Sequence, residues 1–89
     1  MIYYVYIIYS ASADKYFVGQ TNNLERRIEE HNLREGRYTS GKGPWKLVFK
    51  EEWDSRSETM RREKFLKSGK GREYWKEKIQ SSPPEADWL

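Results

Sequence analysis

The sequence predicts an α+β domain, with elements in the order ββαβαα and a small mixed or antiparallel sheet. Three observations support this. Runs of β-branched and aromatic residues alternate with segments of helical periodicity, turn residues fall between them, and 89 residues leave room for one domain only.

The first element, Ile2–Tyr9, is β-branched and aromatic throughout and reads as a strand buried on both faces. Ser10–Asp14 is a turn-rich link, and Lys15–Gly19 is a second short strand that closes a hairpin with the first. Asn22 or Asn23 caps a helix running to about Arg34, with Gly36 as its stop signal. Gly36–Pro44 is a loop of Gly, Lys, Ser and Thr without periodicity, and Trp45–Trp53 is the third strand. Ser55 and Glu58 have capping-box spacing and open a helix to about Lys67. Ser68-Gly69-Lys70-Gly71 breaks that helix, and Arg72–Gln80 forms a final short one. The domain is expected over residues 1–80, followed by a disordered tail over 81–89 that opens with Ser81-Ser82-Pro83-Pro84.

Composition removes several classes of chemistry. Cysteine is absent and there is one histidine, which excludes disulfide frameworks, thiolate zinc sites, cysteine nucleophiles and multi-histidine metal sites. No apolar run approaches the ~18 residues of a membrane helix. The amino terminus has neither a basic leader nor a small-residue cleavage site, so no signal peptide and a cytoplasmic location are expected. Four Trp, seven Tyr and three Phe can build a core from a chain only 36% hydrophobic, because each large ring buries ~150–250 Å².

Charge is unevenly placed. Arg56–Lys78 carries nine basic residues against four acidic ones, net +5, whereas the rest of the chain is net −2. A concentrated basic segment on a near-neutral body suits a phosphate-bearing partner. A solvated helix with scattered ion pairs accounts for the same charges.

Two helices carry polar residues on their apolar sides. With Leu24 at 0°, Ile28 falls at about 40°, Arg27 at about 300° and His31 at about 340°, so Arg27 and His31 are neighbours on the inward stripe or its rim. With Met60 at 0°, Thr59 falls at about 260°, Leu66 at about 240° and Glu63 at about 300°, which sets a carboxylate inside the stripe of Thr59, Met60 and Leu66. An unpaired carboxylate there is costly and should face a cation, a metal or water in a cleft. Each residue also has a purely structural reading. Glu63 can pair with Lys67, Arg27 can pair with Glu30 or lie over the core, His31 can face a helix end, and Tyr6 is one aromatic among many.

Together these residues fall into a series: Tyr4-Val5-Tyr6, Phe17-Val18-Gly19, Asn23 to Asn32, a Tyr38-Thr39 loop, Gly43 to Val48, and Ser55 to Lys67. Over about residues 2–75 this series resembles the GIY-YIG nuclease superfamily, in particular its small single-domain bacterial members. The resemblance implies a three-stranded antiparallel sheet flanked by helices and divalent-metal-dependent cleavage of DNA phosphodiester bonds. It aligns Tyr6, Arg27, His31 and Glu63 with the family's catalytic positions, Glu63 being the metal-binding glutamate. One departure stands out: the second tripeptide begins with Phe17 where the family usually has a tyrosine whose hydroxyl helps activate or orient the attacking water. Tyr16 should point to the opposite face of its strand and is a poor substitute.

Under that resemblance, one carboxylate is enough to hold a single Mg²⁺ (or Mn²⁺) if water and substrate oxygens complete its shell. Arg27 would contact the scissile phosphate through its planar fork. Tyr6 would position or deprotonate water, with His31 as proton acceptor and with Arg27 and the metal lowering the phenol's pKa from near 10. Lys42, Lys46, Arg56, Arg61, Lys67 and Lys70 would hold backbone phosphates of DNA, RNA not being excluded, with salt-dependent and largely sequence-independent affinity. The leading expectation is thus a DNA endonuclease of low sequence specificity. The alternatives are a nucleic-acid-binding module with weakened or lost cleavage and a protein-interaction adaptor using Trp75 or Trp88.

Overall fold

The computed structural model describes residues 1–33 and 44–81. Its middle strand is the first one in the chain. β1 (Tyr3–Ser10) lies between β2 (Lys15–Thr21) and β3 (Lys46–Trp53), and both pairings are antiparallel. Of the mixed and antiparallel options, the sheet is therefore antiparallel. A central strand covered on both sides needs apolar residues at successive positions, and Val5, Tyr6, Ile7 and Ile8 are each at most 1% exposed.

Alternation along β1 divides the core in two. Val5 and Ile7 face α2 (Arg56–Lys67) and α3 (Gly69–Ser81), packing with Val18, Leu66, Trp75 and Ile79. Tyr6 and Ile8 face α1 (Leu24–Asn32), packing with Ile28, Trp45 and Leu47. An irregularity in the β1–β3 register between Ile7 and Ile8 lets both Val48 and Phe49 join the α2–α3 side.

The caps follow the sequence. The Asn23 side chain accepts the Arg26 N–H at 3.2 Å, and the Ser55 hydroxyl accepts the Glu58 N–H at 3.4 Å. Helix α1 stops at Asn32, whose side-chain oxygen accepts the Trp45 N–H at 2.6 Å while its NH₂ donates to the Trp45 carbonyl at 3.3 Å. Both ends of the intervening chain are tied by this one amide. Arg34, Gly36, Tyr38, Thr39, Lys42 and Gly43 lie outside the described residues.

Four expectations need correction. Helix α3 begins at Gly69 rather than Arg72, because Ser68 ends one helix and starts the next: its backbone N–H bonds to Phe65, and its own hydroxyl and carbonyl accept the Gly71 and Arg72 N–H groups. Gly71 sits inside this corner because a Cβ there would strike the Phe65 carbonyl and approach the Leu66 Cα to 2.6 Å. Met60 is 51% exposed and outside the buried stripe, which runs through Thr59 and Leu66 with Arg62 and Glu63 at its margins. Trp75 is buried, and its indole N–H donates to the Leu66 carbonyl at 2.9 Å, so it packs the core and offers no docking surface. Trp88 and the rest of 82–89 lie outside the described residues; Ser81, placed in the tail by sequence, is the last residue of α3.

An ion pair between separate elements was not anticipated. Arg62 grips both Glu51 oxygens, at 2.8 and 2.9 Å, and its guanidinium lies over the Phe65 and Tyr74 rings at 5.1 and 5.0 Å. This ties α2 to β3 and α3 through a planar fork that lysine could not reproduce. No described helix is long and apolar enough to cross a membrane.

Candidate active site

The α1 face of the sheet holds a polar cluster built around one hydroxyl. Tyr6 stands opposite Gly19 in the β1–β2 register. A Cβ at position 19 would approach the Tyr6 hydroxyl to 2.6 Å, so glycine is what makes room for it. That hydroxyl is bonded to His31 Nε2 at 2.8 Å, and both side chains are 1% exposed.

Burial sets the protonation of the pair. It pushes the Tyr6 phenol up to about 12, outweighing the lowering by the charge and hydrogen bonding of Arg27. It pushes the His31 imidazole down to about 4, helped by the positive charge of Arg27 and opposed by Glu30. Both groups are neutral at pH 7. Two neutral groups therefore share one proton across this bond, its direction set by the imidazole tautomer. The expected lowering of the Tyr6 pKa is not seen in the protein by itself, because the loss of water around the phenol is the larger effect.

Arg27 lies on the solvent side of this pair. One guanidinium nitrogen donates to Glu30 at 2.9 Å, and Glu30 also takes the Arg26 Nε–H at 3.2 Å. The structural reading of Arg27 and its place beside Tyr6 thus both hold. The same is true of Glu63. It is half-buried on the inner margin of α2 and pairs with Lys67 at 3.1 Å, yet it is near enough to Tyr6 for its charge to raise the phenol's pKa. Arg27, His31 and Glu63 therefore all act on Tyr6, although they come from two helices and span 37 positions of sequence.

Phe17 borders the cluster, its ring centroid 5.0 Å from that of His31 and 6.4 Å from that of Tyr6. Tyr16 points the other way, against Tyr9 and Trp75 at 4.7 and 4.9 Å, as strand alternation requires. No second hydroxyl from this strand reaches Tyr6 by that route.

The predicted phosphate contacts are dispersed. Arg56 and Lys67 lie on the Glu63 side of α2, within about 40° of it around the helix. Arg61 lies on the opposite side, in a shallow depression with Trp53, Glu58 and Phe65. Lys46 is exposed at the start of β3, opposite Tyr9, and Lys70 is exposed in the first turn of α3. Lys42 lies outside the described residues. Sequence reasoning missed Asn32, which anchors the end of α1 beside His31, and the double grip of Glu30 on Arg26 and Arg27. An interior strand glycine such as Gly19 does signal close approach of another group.

Among the described residues, no group of three or more His, Asp or Glu side chains could hold a metal ion. Of the two carboxylates that act on Tyr6, Glu30 is held by two arginines, which leaves Glu63 as the one donor for a hard cation that keeps most of its shell as water and substrate oxygens.

Similarity to known proteins agrees with this geometry. The family model of the GIY-YIG catalytic domain matches residues 2–78. A UPF0213 protein of Natronomonas pharaonis is 43% identical over 67 residues, 74% of this chain and 78% of the relative. One from Haloquadratum walsbyi is 40% identical over 84 residues, 93% of this chain and 88% of the relative. The solution NMR structure of the UPF0213 protein of Bacillus halodurans superposes with a TM-score of 0.55 at 31% identity, covering 93% of this chain and 89% of the other. The matched span takes in both tripeptides, the helix of Arg27 and His31 and the helix of Glu63, and the chain belongs to the GIY-YIG family.

Proposed function

We propose that this chain is a divalent-metal-dependent endonuclease that hydrolyses DNA phosphodiester bonds with little sequence preference. The observation that carries this reading is the buried Tyr6 hydroxyl, on which an imidazole, a guanidinium and a carboxylate all act. A family of nuclease type makes nucleic acid the natural substrate class.

Each residue has a distinct task. Arg27 meets a phosphate with the part of its fork not held by Glu30, and its permanent charge offsets the charge that builds on the phosphate oxygens. Glu63 would hold Mg²⁺ or Mn²⁺, which when bound supplies further neutralisation of the phosphate and an acidified water. Tyr6 presents its oxygen to the attacking water. His31 holds the phenol oxygen in place through their hydrogen bond. With its imidazole near pKa 4 and the phenol near 12, proton transfer between them is uphill at pH 7, so the pair orients before it titrates. Contacts from Lys and Arg to the phosphates give affinity without base readout, which supports low sequence preference.

Cleavage of plasmid, single-stranded and branched DNA with Mg²⁺ or Mn²⁺ tests the reading. Glu63→Gln should lower the rate at least about a hundredfold. Unchanged cleavage in that variant would end the hydrolase assignment. A second reading, nucleic-acid binding with weak or absent cleavage, is favoured by Phe17 and by the high pKa of Tyr6. Strongly salt-dependent binding without cutting in either metal is its expected signature.

A further inference from the structure

Two grooves flank the polar cluster, and they differ in chemistry. The larger, about 620 Å³, lies over Tyr4, Leu24, Ile28 and Leu47, and its rim carries one acid and one base, Glu25 and Lys50. It has no bias toward phosphate. The smaller, about 280 Å³, runs along the outer edge of β2 to the α2–α3 corner. Its half-buried rings are Phe17 and Tyr16, backed by the buried Leu66 and Trp75, and its rim carries two bases, Lys67 and Arg72.

We propose that this β2-edge groove binds an unpaired nucleotide of the DNA strand whose phosphate enters the site, a proposal that rests on the nuclease reading above. A base needs an aromatic face and its phosphate needs a cation, and the groove supplies both. Phe17 touches the groove on one side and His31 on the other, so a base seated on its ring abuts the Tyr6 cluster. Lys67 joins the groove to Glu63 through their ion pair. Arg72 is exposed and makes no salt bridge with any described residue. It is set beside Lys67 by the corner that Gly71 allows. A base stacked within a duplex cannot also stack on Phe17, so the groove selects frayed, single-stranded or branched DNA over continuous duplex. Phenylalanine at position 17 then has a function of its own: a ring without a hydroxyl stacks without demanding a hydrogen-bond partner.

Fluorescence anisotropy in EDTA, where nothing is cut, tests this on the full chain with a labelled oligothymidine strand and a blunt duplex of equal length. The wild type should bind the strand more tightly than the duplex. Arg72→Gln and Phe17→Leu should each weaken strand binding by about tenfold, and Phe17→Tyr, which keeps the ring, should restore it. Arg72→Gln should also flatten the dependence of log Kd on log salt by about 0.7. Equal affinity for strand and duplex, or wild-type strand binding by Arg72→Gln, would overturn the proposal. Arg72→Gln decides the matter if Phe17→Leu fails to fold. Failure of the two readings is separable. Strand binding that depends on Phe17 and Arg72 without any metal-dependent cutting leaves the groove standing and removes the nuclease. Cutting that depends on Glu63, with a strand preference indifferent to both substitutions, does the reverse.

Discussion

The two faces of this sheet are built from one strand and spend their buried area differently. On the α2–α3 face, Val5 and Ile7 meet Leu66, Trp75 and Ile79, and the one buried indole N–H is bonded to backbone. On the α1 face, Tyr6 meets His31 instead, and a phenol and an imidazole are buried with one hydrogen bond between them. Apolar burial contributes roughly 25 cal/mol per Å², whereas an internal hydrogen bond contributes about 1 kcal/mol net. Both faces carry an apolar cluster, since Ile8, Ile28, Trp45 and Leu47 are buried on the α1 side, but only the α1 face also buries a polar pair whose burial contributes little to stability. A domain this small, with only about 60% of its chain surface buried, has little stability to spare for that pair.

The largest test of this division is Trp75→Ala. It should cost about 3–5 kcal/mol, enough to leave the chain largely unfolded in a thermal melt. If it costs no more than a change at Tyr6, the two faces do not divide the work as described.

Next in size is the pH dependence of the α1 face. His31 has a folded pKa near 4, below its ordinary 6.5, so between these values the unfolded chain binds more protons and stability falls as pH falls. The loss should reach at most about 3 kcal/mol. Tyr6, raised to about 12, acts oppositely: its contribution is intact below pH 10 and disappears as pH rises through 12. Urea midpoints against pH should show a plateau from about 6.5 to 10, and His31→Gln should flatten its acid limb. An acid limb unchanged in that variant would assign it to other groups.

Tyr6→Phe sharpens the comparison at smaller cost. It leaves His31 Nε2 without its hydrogen-bond partner in Tyr6, for about 1–2 kcal/mol by chemical denaturation, while cleavage should fall about a hundredfold. The smallest effect is expected at Arg26→Ala, which removes one exposed arm of the Glu30 grip and should change stability by no more than about 0.5 kcal/mol.

Much of this was legible from periodicity. The unbroken apolar run Ile2–Tyr9 announced a strand covered on both sides, and alternation correctly sent Phe17 and Tyr16 to opposite faces. The inward position of Glu63 followed from helical angles, as did the neighbourhood of Arg27 and His31. Angles alone misplaced Met60, because they cannot say which side of a mixed stripe the sheet covers. The break assigned to Ser68 through Gly71 is confined to Ser68: Gly71 serves a helix start packed against the preceding turn, whereas a side chain at Gly69 would meet nothing within 4 Å. The grip of Arg62 on Glu51 joins residues 11 apart across two elements, and the Tyr6–His31 bond joins residues 25 apart, so no local pattern encodes either. Burial likewise set both pKa values, and it is a property of the assembled sheet.

The amide of Asn32 has one more consequence. By pinning Trp45 at the point where α1 ends, it makes the exit and re-entry of the chain a single stapled junction. The end of α1 beside the imidazole and the start of β3 are thereby held by the same side chain.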